Sequence, residues 1–104
     1  MPDYEKVNKK QIIRYLNSRK NYFRSEFHVR KIALIGSFAR NEQHPQSDID
    51  ILIDFEEGTP DIFEMKRSLK KELEQRFGRT VEIASERYLK PYYREEILRE
   101  AVYV

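Results

Sequence analysis

Apolar residues recur at helical spacing in three segments of the chain. The first segment runs from about Tyr4 to Tyr22 and carries an imperfect apolar stripe of Val7, Ile12, Ile13 and Leu16. The second follows Thr59, a predicted N-cap, and Pro60, a predicted first helical residue. It ends at Gly78, after the apolar positions Ile62, Met65, Leu69, Leu73 and Phe77. The third opens at Pro91 and continues through Ile97, Leu98, Ala101 and Val102. The spacing predicts three helices.

Three shorter apolar runs predict β-strands between these helices. Val29 to Ile35 reads as a buried strand, and Thr80 to Ala84 as a short one. In Ile49 to Phe55 the side chains alternate, with Ile49, Ile51 and Ile53 on one face and Asp48, Asp50, Leu52 and Asp54 on the other. The order of elements predicts an α/β or α+β fold, a small mixed sheet flanked by helices, in one domain spanning residues 1–104.

Composition narrows the functional classes. Charged residues make up 37% of the chain, but the 12% of aromatic residues and the periodic apolar blocks argue against disorder. The net charge of +2 does not favour direct nucleic-acid binding. The chain has no cysteine, which excludes disulfide and thiolate chemistry and suits a cytoplasmic location. No apolar run approaches the roughly 20 residues of a membrane span.

The stretch GSFARNEQHPQSDID, between the first two strands, carries the candidate chemistry. Asp48 and Asp50 project from the same face of a strand, and such a pair is retained most readily when a cation relieves its repulsion. Oxygen ligands without cysteine or paired histidines favour Mg²⁺ or Mn²⁺ over zinc. Upstream, Gly36 allows close approach to the backbone, while Ser37 and the following amides could bind phosphate.

Arg40 adds a fork of donors suited to phosphate oxygens. Phosphate donors beside paired carboxylates indicate a metal–nucleotide site that catalyses in-line attack at phosphorus. Asp-x-Asp alone would also fit a solvated strand face, and Gly-Ser alone a simple turn. The combination of both motifs favours the functional interpretation, and the absence of G-x-x-x-x-G-K-[ST] from the sequence excludes a P-loop.

GSFAR followed by SDIDILIDF resembles the G-S-x-A-R-G…S-D-x-D-x-x-[VI] signature of the minimal nucleotidyltransferases (MNT), in the DNA polymerase beta-like superfamily. The resemblance implies the nucleotidyltransferase fold, with Gly36 and Ser37 holding the nucleotide triphosphate, together with Arg40 and Ser47. It also implies that a carboxylate triad, comprising Asp48, Asp50 and Glu82, binds two Mg²⁺ ions and carries catalysis. Strand alternation agrees for Glu82, because Val81 and Ile83 would face the core.

Two positions depart from the family signature. Asn41 stands where glycine is usual, and asparagine is the next best residue for a left-handed conformation. Glu82 stands where aspartate is usual, so its longer side chain must fit the strict octahedral geometry of Mg²⁺. An exposed strand glutamate without catalytic function is the alternative for Glu82.

Family members of this size are commonly antitoxins paired with HEPN-domain proteins. The resemblance implies transfer of AMP from ATP to a hydroxyl, such as that of a tyrosine, on a HEPN-type toxin, in a homo- or hetero-oligomer. The alternative is an antitoxin that neutralises its partner by binding alone, with a weak or inactive site. Adenylylation of a small molecule is a third option, against which the lack of room for an acceptor-binding domain argues.

Other residues have simpler interpretations. His28 and His44 are predicted to be surface residues and not ligands. The basic run KRSLKK is predicted to be the solvated face of a helix, with contact to RNA or a partner as the alternative. For the tyrosines near Pro91, which are Tyr88, Tyr92 and Tyr93, core packing or a partner contact is expected instead of catalysis.

Overall fold

The computed structural model of the protein describes residues 7–104. They form a four-stranded mixed sheet with helices packed against it. The helices are α1 (Lys9–Phe27), α2 (Gly36–Ala39), α3 (Ile62–Phe77) and α4 (Pro91–Glu100). The strands are β1 (Val29–Ile35), β2 (Ile49–Phe55), β3 (Val81–Ala84) and β4 (Val102–Tyr103), and a 3₁₀ turn covers Glu86–Tyr88. The α+β class expected from the sequence is confirmed.

The sheet order is β3-β2-β1-β4, and its register places the ends of three segments side by side. β1 runs antiparallel to β2 and β4, whereas β2 and β3 are parallel. Asp50 on β2 is therefore flanked by Ile35 at the end of β1 and by Glu82 on β3. The glycine turn after Ile35 consequently meets the carboxylates of β2 at one end of the sheet.

The two faces of the sheet bury separate apolar clusters. The larger cluster packs α1 and α3 against one face and includes Ile12, Leu16, Phe23, Ile49, Ile51, Ile53, Leu69, Leu73 and Val81. A smaller cluster on the other face consists of Ala33, Ile35 and Leu52, against which Ile97 and Leu98 of α4 pack. Each buried large aliphatic or aromatic side chain contributes about 1.5–3 kcal/mol. The predicted alternation of β2 is confirmed, so Asp50 shares the face of the smaller cluster.

The boundaries of α1 differ from the sequence prediction. The predicted start near Tyr4 lies outside the described residues, and within them the helix begins at Lys9, with the Asn8 side chain accepting a hydrogen bond from the N–H of Gln11 at 2.9 Å. The helix continues past the predicted end at Tyr22 to Phe27 because Phe23 is fully buried. His28 ends it in a left-handed conformation, with φ 57°.

Two other local predictions are wrong. Thr59 is not the N-cap of α3, since its hydroxyl donates to the carbonyl of Glu56 and the left-handed Asp61 precedes the helix. The last helix stops at Glu100, and Val102 instead pairs with Leu34 on the open edge of β1. The predicted stop of α3 at Gly78 is confirmed, with φ 63°.

None of the helices in the described part of the chain, residues 7–104, has the length and apolar character needed to cross a membrane.

Candidate active site

The turn between β1 and α2 places backbone directly against a carboxylate. Gly36 has φ 76°, a left-handed backbone conformation that residues with a side chain rarely adopt. A Cβ atom added at Gly36 would collide with Oδ2 of Asp50. The sequence indicated a glycine that admits phosphate to the backbone. The structure adds that this glycine also makes room for Asp50.

Asp48, Asp50 and Glu82 lie in one electrostatic environment. Asp50 is partly buried, whereas Asp48 and Glu82 are exposed. Burial raises the pKa of Asp50, and the negative charges of Asp48 and Glu82 raise it further, against an opposing effect of Arg40. The ionised carboxylates of Asp48, Asp50 and Glu82 therefore repel one another, and none of the three forms an ion pair within residues 7–104.

This donor set fits a hard divalent cation in its chemistry. Carboxylate oxygens are the ligands that Mg²⁺ and Mn²⁺ prefer, and a cation between them would relieve the repulsion at Asp50. Within residues 7–104, however, no three His, Cys, Asp or Glu side chains are close enough to form a ready-made metal site. Glu82 is exposed and pairs with Asp50 in the sheet register, so the two side chains project from the same face of the sheet.

The remaining residues of the turn are held by local backbone hydrogen bonds. The carbonyl of Ser37 accepts from the N–H of Glu42 at 2.9 Å. Asn41 has φ 58°, so it takes the left-handed conformation expected where the signature has glycine. Since α2 has only four residues, its dipole adds little, and any anion here would be bound by individual N–H groups.

Arg40 forms ion pairs with two carboxylates of the protein itself. Its Nε donates to Glu42 at 2.8 Å, and its Nη1 donates to Glu100 on α4 at 2.9 Å. The hydrogen bond with Glu42 is the main reason why the pKa of Arg40 is raised. The guanidinium thus links the α2 turn to α4, and a phosphate group would have to compete with these two partners.

Ser47 closes a turn ahead of the two aspartates. It is 8% exposed, and its Oγ accepts a hydrogen bond from the N–H of His44 at 2.9 Å. Arg79 donates from Nη1 to the carbonyls of Ser47, at 2.8 Å, and Pro45, at 3.0 Å. Sequence reasoning missed Arg79, whose position just after the Gly78 helix stop was the available signal. Arg79 fixes the loop that leads into Asp48.

An open cavity of about 640 Å³ borders Asp48 on the side of this loop. Its lining includes Gln43, His44, Arg79 and Thr80. The Oε1 atom of Gln43 is buried and has no hydrogen-bond partner among the described residues. The cavity therefore adjoins one of the two aspartates and is lined largely by polar side chains.

The remaining residues singled out from the sequence have no contact that indicates a catalytic role. Nδ1 of the exposed His44 accepts from the N–H of Gln46 at 3.1 Å. In the basic run of α3, Arg67 and Lys71 are exposed, as expected for a solvated face, whereas Lys66 and Lys70 are half-buried. Tyr88 and Tyr92 are 77% and 80% exposed, which rules out core packing for both, and the alternative of a partner contact stays a prediction.

The comparisons with known proteins agree with this arrangement. The nucleotidyltransferase domain family matches residues 11–104. The protein adenylyltransferase MntA of Thermococcus cleftensis is 38% identical over 89 residues, which cover 86% of this chain and 88% of that protein. A solved structure provisionally described as a minimal nucleotidyltransferase has a TM-score of 0.76 and 32% identity, covering 92% of this chain and 95% of that one.

A toxin–antitoxin complex with AMP-PNP has a TM-score of 0.63 at 21% identity, covering 93% of this chain and 72% of that one, which shows a shared fold. The chain therefore belongs to the nucleotidyltransferase domain family, as an enzyme of its minimal nucleotidyltransferase group.

Proposed function

We propose that the protein transfers AMP from ATP to a hydroxyl group, that of a tyrosine, on a partner protein. The observation that carries the proposal is the sheet register, which places Asp50 beside Glu82 and against the backbone of Gly36. An anion-binding turn next to clustered carboxylates suits a reaction in which a metal–triphosphate is the donor.

The proposed roles follow the positions of the residues. The turn at Gly36 and Ser37 binds the triphosphate, with Arg40 and Ser47 as supporting contacts. Asp48, Asp50 and Glu82 hold divalent cations, two Mg²⁺ ions or alternatively Mn²⁺, which would neutralise charge on the phosphate oxygens. The acceptor oxygen forms a bond to the α-phosphorus while the bond from that phosphorus to the bridging oxygen breaks, and pyrophosphate leaves.

Glu82 is the proposed general base. Its exposed side chain lies next to Asp50 in register, so it can reach a hydroxyl that approaches the same edge of the sheet. The acceptor proton passes to its carboxylate as the new P–O bond forms.

The proposed partner is a HEPN-type toxin, which this protein restrains as an antitoxin in the cytoplasm. One relative is named a protein adenylyltransferase, and a protein of the same fold is described in a toxin–antitoxin complex. Large exposed side chains on α3, α4 and the 3₁₀ turn, namely Phe63, Tyr92 and Tyr88, supply the aromatic anchors that protein interfaces use.

A second candidate is an antitoxin that works by binding alone. Two observations favour it: Arg40 is paired with Glu42 and Glu100, and Glu82 is not gathered with the aspartates in a ready-made metal site. In this case the same surface would hold the partner without group transfer.

Incubation with ATP labelled at the α-phosphate, Mg²⁺ and the protein encoded by the neighbouring gene separates the two candidates. Label on a partner tyrosine, lost in Asp48→Asn/Asp50→Asn, is expected for the enzyme. A tight complex without label, in both wild type and variant, would contradict transfer and support binding alone.

A further inference from the structure

The near-neutral net charge of the chain conceals a strongly uneven distribution of charge. Helix α1 contains six basic residues and a single acidic one, Glu26. Its net charge is thus +5, against +2 for the whole chain, so the remainder of the protein is net negative. One long surface helix is therefore far more basic than the composition suggests.

The outward face of α1 carries four exposed cations, arranged as two pairs. Within each pair the two residues are about one helical turn apart. The pairs are Lys10 with Arg14 and Lys20 with Arg24, and all four side chains are exposed. None of the four forms an ion pair with an acidic side chain in the described range 7–104, whereas Arg40, Arg94 and Arg99 do. At 1.5 Å per residue the row from Lys10 to Arg24 is about 21 Å long.

The row begins beside the end of the α2 turn. Lys10 and Arg14 line a shallow cavity together with Asn41, the residue that follows Arg40. The opposite side of α1 is fully occupied by the core through Ile12, Leu16 and Phe23. The basic face is consequently a rigid, solvent-facing stripe fixed to the sheet.

The chemistry of the stripe favours a nucleic acid over a protein. Protein interfaces depend on buried aromatic or aliphatic anchors, and the large exposed apolar side chains of residues 7–104 lie outside α1. Single-stranded nucleic acids are bound by stacking on exposed aromatic rings, which the stripe lacks as well. A duplex, whose bases are already stacked, needs only phosphate contacts.

Two exposed asparagines lie in the same row: Asn17 between the two pairs of cations, and Asn21 between Lys20 and Arg24 of the second pair. Their amides can both donate and accept, which suits the 2′-hydroxyl groups in the wide minor groove of A-form RNA. We propose that the outward face of α1, formed by Lys10, Arg14, Asn17, Lys20, Asn21 and Arg24, binds the backbone of double-stranded RNA. This surface is independent of the AMP transfer proposed above.

Fluorescence anisotropy with a labelled 16-base-pair RNA duplex tests the proposal. Micromolar binding is expected at 50 mM salt. The plot of log K against log salt should have a slope of roughly −3.6, because four phosphate contacts release counterions at about 0.9 each. Lys10→Glu/Arg14→Glu and Lys20→Glu/Arg24→Glu should each weaken binding at least tenfold. Circular dichroism would show that these surface variants remain folded.

The matched control is Arg67→Glu/Lys71→Glu, which reverses the same two residue types at the same spacing on an exposed face of α3. This variant should change RNA affinity less than threefold. An equal loss in the control would overturn the proposal, as would no binding at 50 mM salt. Equal affinity for a DNA duplex of the same sequence would overturn the assignment to RNA, and tighter binding of poly-L-glutamate than of the RNA duplex at equal charge concentration would indicate an acidic protein instead.

Discussion

The carboxylates and the predicted phosphate-binding residues of the candidate site are held in different ways. Asp50 and Glu82 are neighbours because two parallel strands pair in register, so the sheet itself fixes their separation. Arg40 and Ser47 instead lie in the connection between β1 and β2, where their side chains hydrogen-bond Glu42 and the N–H of His44 within that connection, and Arg40 also bonds Glu100 on α4. Among the described residues 7–104, the side chains of the first group form no ion pair, whereas those of the second already have partners.

This difference separates residues that destabilise the fold, and so indicate a function, from residues that stabilise it. Clustered carboxylates cost folding free energy, and retaining them indicates a cation or a proton-transfer role. A serine that closes a turn, such as Ser47, stabilises the loop whether or not nucleotide binds. The carboxylates are therefore the stronger candidates for chemistry, and the variants below test that ranking.

The largest effect is expected for Asp48→Asn/Asp50→Asn. Transfer should fall by about 10³-fold or more, because charge stabilisation by a bound metal contributes several kcal/mol. In wild type, Mg²⁺ with ATP at a hundred times the dissociation constant should stabilise the fold by roughly 2.7 kcal/mol and raise Tm by several degrees. The variant should lose that shift yet melt no lower without ligand. Lower melting of the variant in both conditions would indicate a structural role for the aspartates.

Glu82 should show a smaller but graded dependence on the carboxylate. Glu82→Gln is expected to reduce transfer at least tenfold, in line with the roughly 10²–10⁴-fold contribution of acid–base catalysis. Glu82→Asp keeps the carboxylate and should retain much more activity. Single-turnover rates would measure both, and equal rates in all three proteins would reduce Glu82 to a surface residue.

Gly36→Ala tests the contact between the turn and Asp50, with Gly58→Ala as a matched control. Both glycines have positive φ, 76° and 79°, but a Cβ at Gly58 meets nothing within 4 Å. In each variant the unfavourable backbone conformation should lower the free energy of unfolding by about 1 kcal/mol. Gly36→Ala should be destabilised further by the clash with Asp50, and it alone should bind ATP more weakly. Equal free energies of unfolding for the two variants, measured by urea titration, would show that the Asp50 side chain moves away from the added Cβ without destabilising the fold.

Glu100→Gln tests whether Arg40 is available to phosphate. The substitution weakens one of the two ion pairs of Arg40, so ATP should bind a few-fold more tightly if Arg40 contacts the triphosphate. Arg40→Gln should then weaken ATP binding, and calorimetry would measure both. Unchanged affinity in the two variants would leave Arg40 as a link between α2 and α4 alone.

The smallest effect concerns the pH dependence of stability. The folded pKa of Asp50 is raised above its unfolded value by burial and by Asp48 and Glu82, so the fold disfavours the ionised form. Without metal, the free energy of unfolding should include a contribution that is lost as pH rises from about 3.9 through that raised pKa. Asp50→Asn should lack this loss. Parallel profiles of unfolding free energy against pH for wild type and Asp50→Asn, from pH 3.5 to 7, would contradict this prediction.

Residues that follow a local periodicity could be predicted from the sequence. The alternation of β2 placed Asp50 and Leu52 on one face and the isoleucines in the core, as the structure has them. Gly78 was predicted as the stop of α3, and Asn41, which replaces the glycine of the family signature, was expected to suit a left-handed conformation; both residues have positive φ.

Contacts between distant segments could not be read in the same way. Arg40 meets Glu100 across 60 residues, and Arg79 meets Ser47 across 32. β4 was hidden because Val102 continues the apolar pattern of α4, and only the open edge of β1 explains why it leaves the helix. Long-range pairing decides these features, and no local pattern encodes it.

The short pairing of β4 has a consequence for self-association. β4 covers β1 only at Ala33 and Leu34, with one more hydrogen bond from the N–H of Val104 to the carbonyl of Ile32 at 3.1 Å. The part of β1 before Ile32 carries the exposed cations Arg30 and Lys31. Charged residues on an uncovered strand edge discourage the addition of a foreign strand. The protein thus blocks edge-to-edge aggregation with two paired residues and two charges.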